Sequence, residues 1–450
     1  MLQCSIPRVA STNSEGSPIA PAADAFLARG ISSLEAPLLK GSALTEAPGV
    51  PVRGMAVNLV TGGLGAGILT LPWGMAGASV LTALLLTVLV VVLNGFTIMI
   101  LVRAAEEHQR FDLGALLALL PGRWLGPVTQ GFCNGLVWVV IWMALVGYII
   151  VVQDCMTPLM PAGTMLSQRS TWAVLGSAVV LPLSLTDLKF LSSTSTFSVG
   201  VNFYLFALLC VRLALDGVSP EGVCLIASVA PLPPGAIAFF AVMMYSVIIQ
   251  MCILPMYREL QDRSPDRFQT ALVGSFGTLI ALYAAFATVA YLHFGPHVSD
   301  NVLRDLGDSF WGNSARAAMA AVVVCVYPIM VKPMLAPVEA MGAGRVRLAA
   351  GVIVASVMVC ACYVSNLGFV NAISGTVSVS GFVALAPGVV GLYLYGTAAQ
   401  RARTSWRVAM HALIWFGLLL SGVGMFYQGN YATALEQYCW WSIGRREVGE

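Results

Sequence analysis

The chain has 450 residues, a formal net charge of +2, 58% hydrophobic residues and only 10% charged residues. Its mean hydropathy is +0.84, whereas soluble domains carry about 25% charged residues. This composition excludes a soluble globular protein. The low net charge, without any basic cluster, predicts no nucleic-acid partner.

The N-terminal segment differs from the rest of the chain. Residues 11–18 and 21–24 are small, polar or proline-bearing, and no sustained apolar segment resembles a secretory signal peptide. We therefore predict a disordered cytoplasmic tail over residues 1–52. A transmembrane domain is predicted over residues 53–427, followed by a short non-cytoplasmic tail over residues 428–450.

An uncharged run over residues 54–102 follows, long enough for two membrane crossings at about 20 residues each. Glycines are concentrated in its first crossing. Glycine disfavours a regular helix, and unwound backbone at membrane depth persists only beside protein or a water-filled cavity. An interrupted first helix predicts a substrate site. The candidate residues of this crossing are Asn58, Gly62, Gly63, Gly65, Ala66 and Gly67.

Later uncharged runs predict nine further crossings and a total of eleven. They cover residues 124–153, 170–186, 190–211, 222–257, 268–299, 309–331, 348–400 (two crossings) and 408–435. With the N-terminus in the cytoplasm, 17 Lys and Arg residues lie in cytoplasmic segments and 6 on the opposite side. This bias follows the positive-inside rule and predicts a non-cytoplasmic C-terminus.

Three cysteines, Cys155, Cys224 and Cys439, fall in predicted non-cytoplasmic segments. This placement allows one disulfide among them and leaves the pairing open. The cysteine spacing predicts no metal site, and no cofactor is expected.

The sixth crossing has polar residues at its centre, Tyr245, Ser246 and Gln250, and a proline, Pro255, near its end. Proline removes a backbone donor and disturbs the preceding turn. We therefore predict a second interrupted helix, and Tyr245, Ser246 and Gln250 as substrate contacts. Spans one and six open two five-span halves, and interrupted segments at matching places in two halves are typical of transporter sites.

Two broken helices suit a zwitterion. The start of a helix presents free N–H groups and a positive partial charge, which favours a carboxylate, while the end presents carbonyl oxygens, which favour an ammonium group or a cation. An amino acid carries both charges at short separation. The first crossing contains no charged side chain, so backbone groups would supply the recognition.

Four segments resemble the amino acid/auxin permease family, within the amino acid–polyamine–organocation superfamily. Residues 58–72 are similar to its Asn…Gly-x-Gly-Ile-Leu-x-Leu-Pro signature, and residues 250–265 to the sixth helix and loop of its sodium-coupled neutral amino acid transporters. Residues 291–295 and 366–375 resemble later helix ends. The resemblance implies an all-α polytopic protein with the inverted five-plus-five repeat of the bacterial leucine transporter plus one extra helix, with helices one and six broken.

Two departures from the sodium-coupled relatives bear on coupling. Their eighth-helix threonine, an ion ligand, aligns with Val326, and valine offers no oxygen to a hard cation. Gln250 stands where many relatives carry histidine, which leaves no proton role for that position. We therefore expect H⁺ coupling or exchange in preference to Na⁺ coupling.

The resulting hypothesis is a secondary active amino acid transporter, not an enzyme, in the plasma membrane or a vacuolar or lysosomal membrane. Its expected partners are an amino acid, H⁺ and membrane lipid. Two alternatives stay open: an amino acid sensor of the same fold, and a sodium-coupled neutral amino acid symporter. A membrane-embedded enzyme is disfavoured because the sequence contains no HExxH, GxSxG or paired intramembrane aspartates.

Overall fold

The computed structural model describes residues 49–186, 194–228, 232–339, 341–427, 429 and 431–444. Most of the tail predicted over residues 1–52 lies outside this part of the chain, as do residues 445–450 of the predicted C-terminal tail. The described residues are mainly helical, which confirms the predicted all-α polytopic class.

The first half of the chain alternates long apolar helices with short connections. Its elements are α1 (Val52–Gly63), a 3₁₀ turn (Ala66–Thr70), α2 (Leu71–Ala78), α3 (Val80–His108), α4 (Leu113–Leu117), α5 (Leu125–Met156), 3₁₀ turns (Thr157–Leu159, Met165–Ser167), α6 (Arg169–Ser184), α7 (Thr194–Asp216) and β1 (Val223–Ala227).

The second half repeats this pattern and ends on a strand. Its elements are α8 (Pro234–Val247), α9 (Gln250–Arg258), α10 (Pro265–Phe294), 3₁₀ turns (Gly295–His297, Val302–Leu306), α11 (Phe310–Glu339), α12 (Ala343–Tyr363), α13 (Leu367–Ser378), a π-helical segment (Val379–Leu385), α14 (Ala386–Tyr393), α15 (Ala398–Ala402), α16 (Thr404–Phe426), α17 (Ala432–Leu435), a 3₁₀ turn (Glu436–Tyr438) and β2 (Cys439–Ile443).

Ten membrane crossings satisfy a length and hydropathy criterion within the described residues. Nine are single helical spans, and the bent pair α1–α2 adds one more. The predicted fourth crossing coincides with α6, which has 16 residues, fewer than the roughly 20 that span a bilayer without adjustment. The total of eleven therefore stays a prediction, as does the inverted repeat.

Both predicted helix breaks are present. The axes of α1 and the segment Ala66–Ala78 differ by 49°, and Gly65 between them is fully extended. The second break lies at Ile248 and Ile249, whose backbone leaves the helical region between α8 and α9. Pro255 lies inside α9, so the break falls between the polar residues Ser246 and Gln250 and not at the proline.

Small residues bring the broken spans close to each other and to α13. A Cβ on Gly235 of α8 would overlap the carbonyl of Gly77 at the end of α2, and a Cβ on Gly375 of α13 would overlap the carbonyl of Ala241. Only glycine permits these backbone approaches, because any side chain would push the helices apart.

One face of the molecule carries a strand pair that the sequence did not predict. β1 and β2 are antiparallel, and a disulfide between Cys224 and Cys439 joins them. Cys155 remains a buried free thiol. The disulfide lies on the side that the basic residues identify as non-cytoplasmic, where oxidising conditions favour such bonds.

Buried charges hold the helices together on this same face. Asp154 at the end of α5 forms an ion pair with Arg169 and accepts a hydrogen bond from Asn301 at 2.9 Å. The neighbouring Asp300 accepts a hydrogen bond from the backbone N–H of Leu367, at the start of α13. These contacts tie the loop before α11 to three helices, and removing one member would leave a buried charge unpaired.

The opposite face is closed by a second network. Glu106 of α3 accepts hydrogen bonds from Tyr257 at 2.8 Å and from Arg263 at 2.9 Å. The backbone N–H of Val50, before α1, donates to the carbonyl of Glu259 at 2.8 Å. The charged loop after the sixth span therefore holds the start of the first span.

The two described ends of the chain lie at opposite ends of the first crossing, because α17 packs against α2 while Val50 pairs with Leu260. An epitope added at the C-terminus should therefore be reached by antibody from the face that carries the disulfide, and an N-terminal epitope only from the other face. Protease protection in sealed vesicles measures this. If protease added outside the vesicles cleaved both epitopes, or neither, the result would contradict the topology.

Candidate functional site

A small cavity lies between the two helix breaks. Its volume is about 50 Å³, which is room for about four waters, since one water needs roughly 10–15 Å³ of such space. The breaks supply one side and α5 and α11 the other. The lining residues are Gly62, Gly63, Gly65, Ala66, Gly67, Val140, Ile141, Ala144, Tyr148, Tyr245, Ser246, Ile248, Met251 and Met330.

Backbone groups of opposite polarity meet at this cavity. Ala66 and Gly67 open a 3₁₀ turn, and the first N–H groups of a helix have no intrahelical acceptor. Gly63 is the last residue of α1, and Tyr245 and Ser246 belong to the last turn of α8, where carbonyl oxygens lack intrahelical donors. The cavity therefore offers a positive partial charge at one side and a negative one at the other.

The two breaks come into direct contact at Gly67. A Cβ at this position would lie 2.5 Å from Oγ and 3.2 Å from Cα of Ser246. The Ser246 hydroxyl itself donates to the carbonyl of Val242 at 2.9 Å, which fixes the side chain against the helix. Gly67 is thus required for the close approach that shapes the cavity.

A buried phenol joins the carbonyl ends of both broken helices. The hydroxyl of Tyr283, on α10, hydrogen-bonds to the carbonyl of Ser246 at 2.9 Å and to the carbonyl of Gly63. One O–H carries one proton, so the two carbonyls share a single donor. Tyr283 is not among the predicted site residues, and its only signal in the sequence is a polar group in the middle of an apolar span.

Seven of the nine predicted site residues line the cavity, and two do not. Asn58 lies on an exposed face of α1, one turn before the glycines. Gln250 is buried, but its amide N–H donates to Oδ1 of Asn94 and its Oε1 accepts the backbone N–H of Ile249 at 3.1 Å. Gln250 therefore bridges the second break to α3. The direction in which either side chain points depends on packing between helices, which a single sequence does not show.

One wall of the cavity consists entirely of residues that the sequence did not predict. Val140, Ile141, Ala144 and Tyr148 of α5 face the breaks, as does Met330 of α11. These residues are apolar or aromatic within apolar spans, so their pattern does not differ from ordinary helix packing. These residues are identified only by the position of α5 and α11 against the two helix breaks.

The lining of this cavity contains no charged side chain. Within the described residues, no group of three His, Cys, Asp or Glu side chains is placed to hold a metal ion. Recognition of a charged solute at this position would therefore depend on backbone dipoles and on the hydroxyls of Tyr148, Tyr245 and Ser246.

Comparison with known proteins identifies a family for most of the chain. The sequence model described as "Transmembrane amino acid transporter protein" matches residues 51–428. Vacuolar amino acid transporter 7 of Saccharomyces cerevisiae is 22% identical over 294 residues, 62% of this chain and 56% of the relative. Sodium-coupled neutral amino acid symporter 2 of Danio rerio is 24% identical over 290 residues, 57% of this chain and 56% of the relative. The matches thus span little more than half the length of these relatives.

Solved structures with the same fold have low sequence identity. The inward-facing conformation of Mhp1 matches with a TM-score of 0.53 at 14% identity and covers 91% of this chain and 99% of its own. A Na⁺-coupled sialic acid symporter matches with a TM-score of 0.51 at 11% identity and covers 91% of this chain and 95% of its own. At such identity the likeness establishes the fold alone.

Gly67→Leu should abolish amino acid uptake while the protein still reaches its membrane, because the new side chain would occupy the contact with Ser246. Gly131→Leu is the matched control, since a Cβ on Gly131 meets no atom within 4 Å. Uptake of labelled amino acid, normalised to the amount of protein in the membrane, measures the effect. Normal uptake by the Gly67 variant would refute the position of the site.

Tyr283→Phe should lower the ratio of maximal uptake rate to KM about fivefold or more, since an unsatisfied buried carbonyl costs about 1–3 kcal/mol. Tyr204→Phe is the control, because its hydroxyl also bridges two groups, at Trp311 and Ser314, outside the cavity lining. Equal losses in both variants would indicate a general folding effect.

Proposed function

The chain belongs to the transmembrane amino acid transporter family, and from this premise we propose that it moves amino acids by alternating access as a secondary active transporter. The observation that carries the proposal is the uncharged cavity between two facing helix breaks. Relatives in this family are transporters and not enzymes, and the apolar spans place the chain in a membrane as a multi-pass protein.

The proposed substrate is a small zwitterionic amino acid. Its α-carboxylate would accept hydrogen bonds from the N–H groups at Ala66 and Gly67, and its ammonium group would donate to carbonyls at the ends of α1 and α8. The cavity of about 50 Å³ leaves little room for a side chain. Met251 and Met330, which are flexible, are the residues on which accommodation of a larger substrate would depend.

Coupling to sodium is disfavoured by one position. Val326 is buried on α11, one turn before Met330, and contributes no oxygen ligand. We therefore propose H⁺ coupling or exchange.

Two other functions remain in competition. A sodium-coupled symporter is favoured by the name of the Danio rerio relative, and an amino acid sensor would share the whole binding site. A flux measurement separates the sensor from a transporter, because a sensor binds substrate without moving it. The membrane is proposed to be the plasma membrane or a vacuolar or lysosomal one, and the Saccharomyces cerevisiae relative has a vacuolar name.

Uptake into proteoliposomes should persist when Na⁺ is replaced by choline and should rise as the side that faces the disulfide is acidified. Labelled glycine, alanine, glutamine, phenylalanine and lysine form the substrate panel. Val326→Thr restores the hydroxyl of the sodium-coupled relatives and tests whether that group alone confers Na⁺ dependence. Steep Na⁺ dependence of the unmodified chain at fixed pH would overturn the proposed coupling, and binding without flux would favour the sensor.

A further inference from the structure

A second, larger cavity is a groove on the membrane-facing surface between α3 and α10, with a volume of about 530 Å³. It runs from Val91 and Ile280 at one end to Arg103 and Gln269 at the other, since the two helices are antiparallel. Most of its lining is apolar, and the polar side chains are confined to the end that contains Arg103. The groove is therefore amphipathic along its length.

The guanidinium of Arg103 is held at the polar end without a compensating carboxylate. Its Nη1 donates to the hydroxyl of Tyr395 at 3.2 Å and its Nη2 to Oε1 of Gln269 at 3.4 Å. No Asp or Glu oxygen of the described residues lies within 4.0 Å of it. Arg103 lines the groove and is exposed, and a guanidinium with N–H donors left unused suits an anion.

The aromatic wall beside Arg103 is fixed by its own contacts. The indole N–H of Trp406 donates to the carbonyl of Gly391 at 2.8 Å. Its ring stacks on Tyr395 with the centroids 4.7 Å apart and meets the edge of Phe96 at 6.3 Å. Tryptophan and tyrosine favour the headgroup level of a bilayer, so this end of the groove lies at a membrane interface.

The length of the groove matches one leaflet. The helical rise from Val91 to Arg103 is about 18 Å, while the hydrocarbon core of a bilayer is about 30 Å thick, so each leaflet contributes about 15 Å. Arg103 lies near the end of α3 that the basic residues assign to the cytoplasm. An acyl chain whose headgroup meets Arg103 would therefore lie along the groove to mid-membrane.

We propose that this groove binds one anionic phospholipid of the cytoplasmic leaflet. Its phosphate contacts Arg103 and Gln269, and one acyl chain lies against Phe96, Phe276 and Ile280. Anionic lipids are concentrated in that leaflet, and one basic residue near it contributes about a fivefold preference for them.

The bound lipid would stabilise the helices that support the substrate cavity. Asn94 lies on the buried side of α3 and contacts Gln250 at the second break, and Tyr283 lies on the buried side of α10. A lipid that fills the groove packs behind both helices. It would therefore raise the thermal stability of the folded protein by binding it in preference to the unfolded chain.

The test uses the purified full chain in detergent micelles, titrated with phosphatidylserine, phosphatidylcholine of the same acyl chains, or cholesterol. The midpoint of thermal unfolding against lipid concentration gives an apparent Kd. Arg103→Gln removes the charge, and Arg110→Gln, an exposed arginine outside the groove, is its control. Gly277→Trp fills the groove, and Gly274→Trp on the same helix is its control, since a Cβ on either glycine meets no atom within 4 Å.

We expect phosphatidylserine to stabilise the unmodified chain with an apparent Kd about fivefold lower than that of phosphatidylcholine. Arg103→Gln should remove this preference, and Gly277→Trp should remove the stabilisation by both phospholipids. The two control variants should show both the stabilisation and the preference for phosphatidylserine. Equal effects of the two phospholipids on the unmodified chain, or an unchanged preference in Arg103→Gln, would overturn the proposal. Stabilisation retained by Gly277→Trp would place the lipid elsewhere, and stronger stabilisation by cholesterol would identify a sterol groove instead.

Discussion

The requirement that every peptide group in a bilayer find a hydrogen-bond partner governs the rest of this structure. Two helices break at membrane depth, and each break leaves N–H and carbonyl groups without helical partners. Part of this demand is met by side chains, since Tyr283 serves the carbonyls of both breaks and Gln250 accepts the N–H of Ile249. The remaining N–H and carbonyl groups converge on the cavity, where a bound zwitterion would supply their hydrogen-bond partners.

Close backbone approach makes this convergence geometrically feasible. Gly67 touches Ser246, Gly235 touches the carbonyl of Gly77, and a Cβ on any of these glycines would overlap the neighbouring chain. The breaks are thus aligned by packing that tolerates almost no added volume. This tightness also limits the cavity, because side chains from α5 and α11 enclose what space the glycines leave.

Polar networks hold the helices together on the two faces of the molecule. Glu106 with Arg263 holds one face, and Asp154 with Arg169 and Asn301 holds the other. Under the proposed alternating-access transport, each network would have to open in turn. The Glu106–Arg263 network lies nearer water, because both side chains are about a quarter exposed, whereas the Asp154 carboxylate of the other network is fully buried. The second network is therefore the costlier one to separate.

The sequence by itself determined the membrane class, the position of most crossings and the first helix break, because hydropathy and glycine are local signals that act through bilayer thickness and backbone freedom. Tertiary structure alone decided which side chains meet. It turned Gln250 towards Asn94, left Asn58 outside the cavity and chose Cys224 and Cys439 as disulfide partners. It also brought Tyr283 to the breaks. Helices that are apolar on every side carry no local record of their neighbours, so these pairings depend on packing between segments distant in the chain.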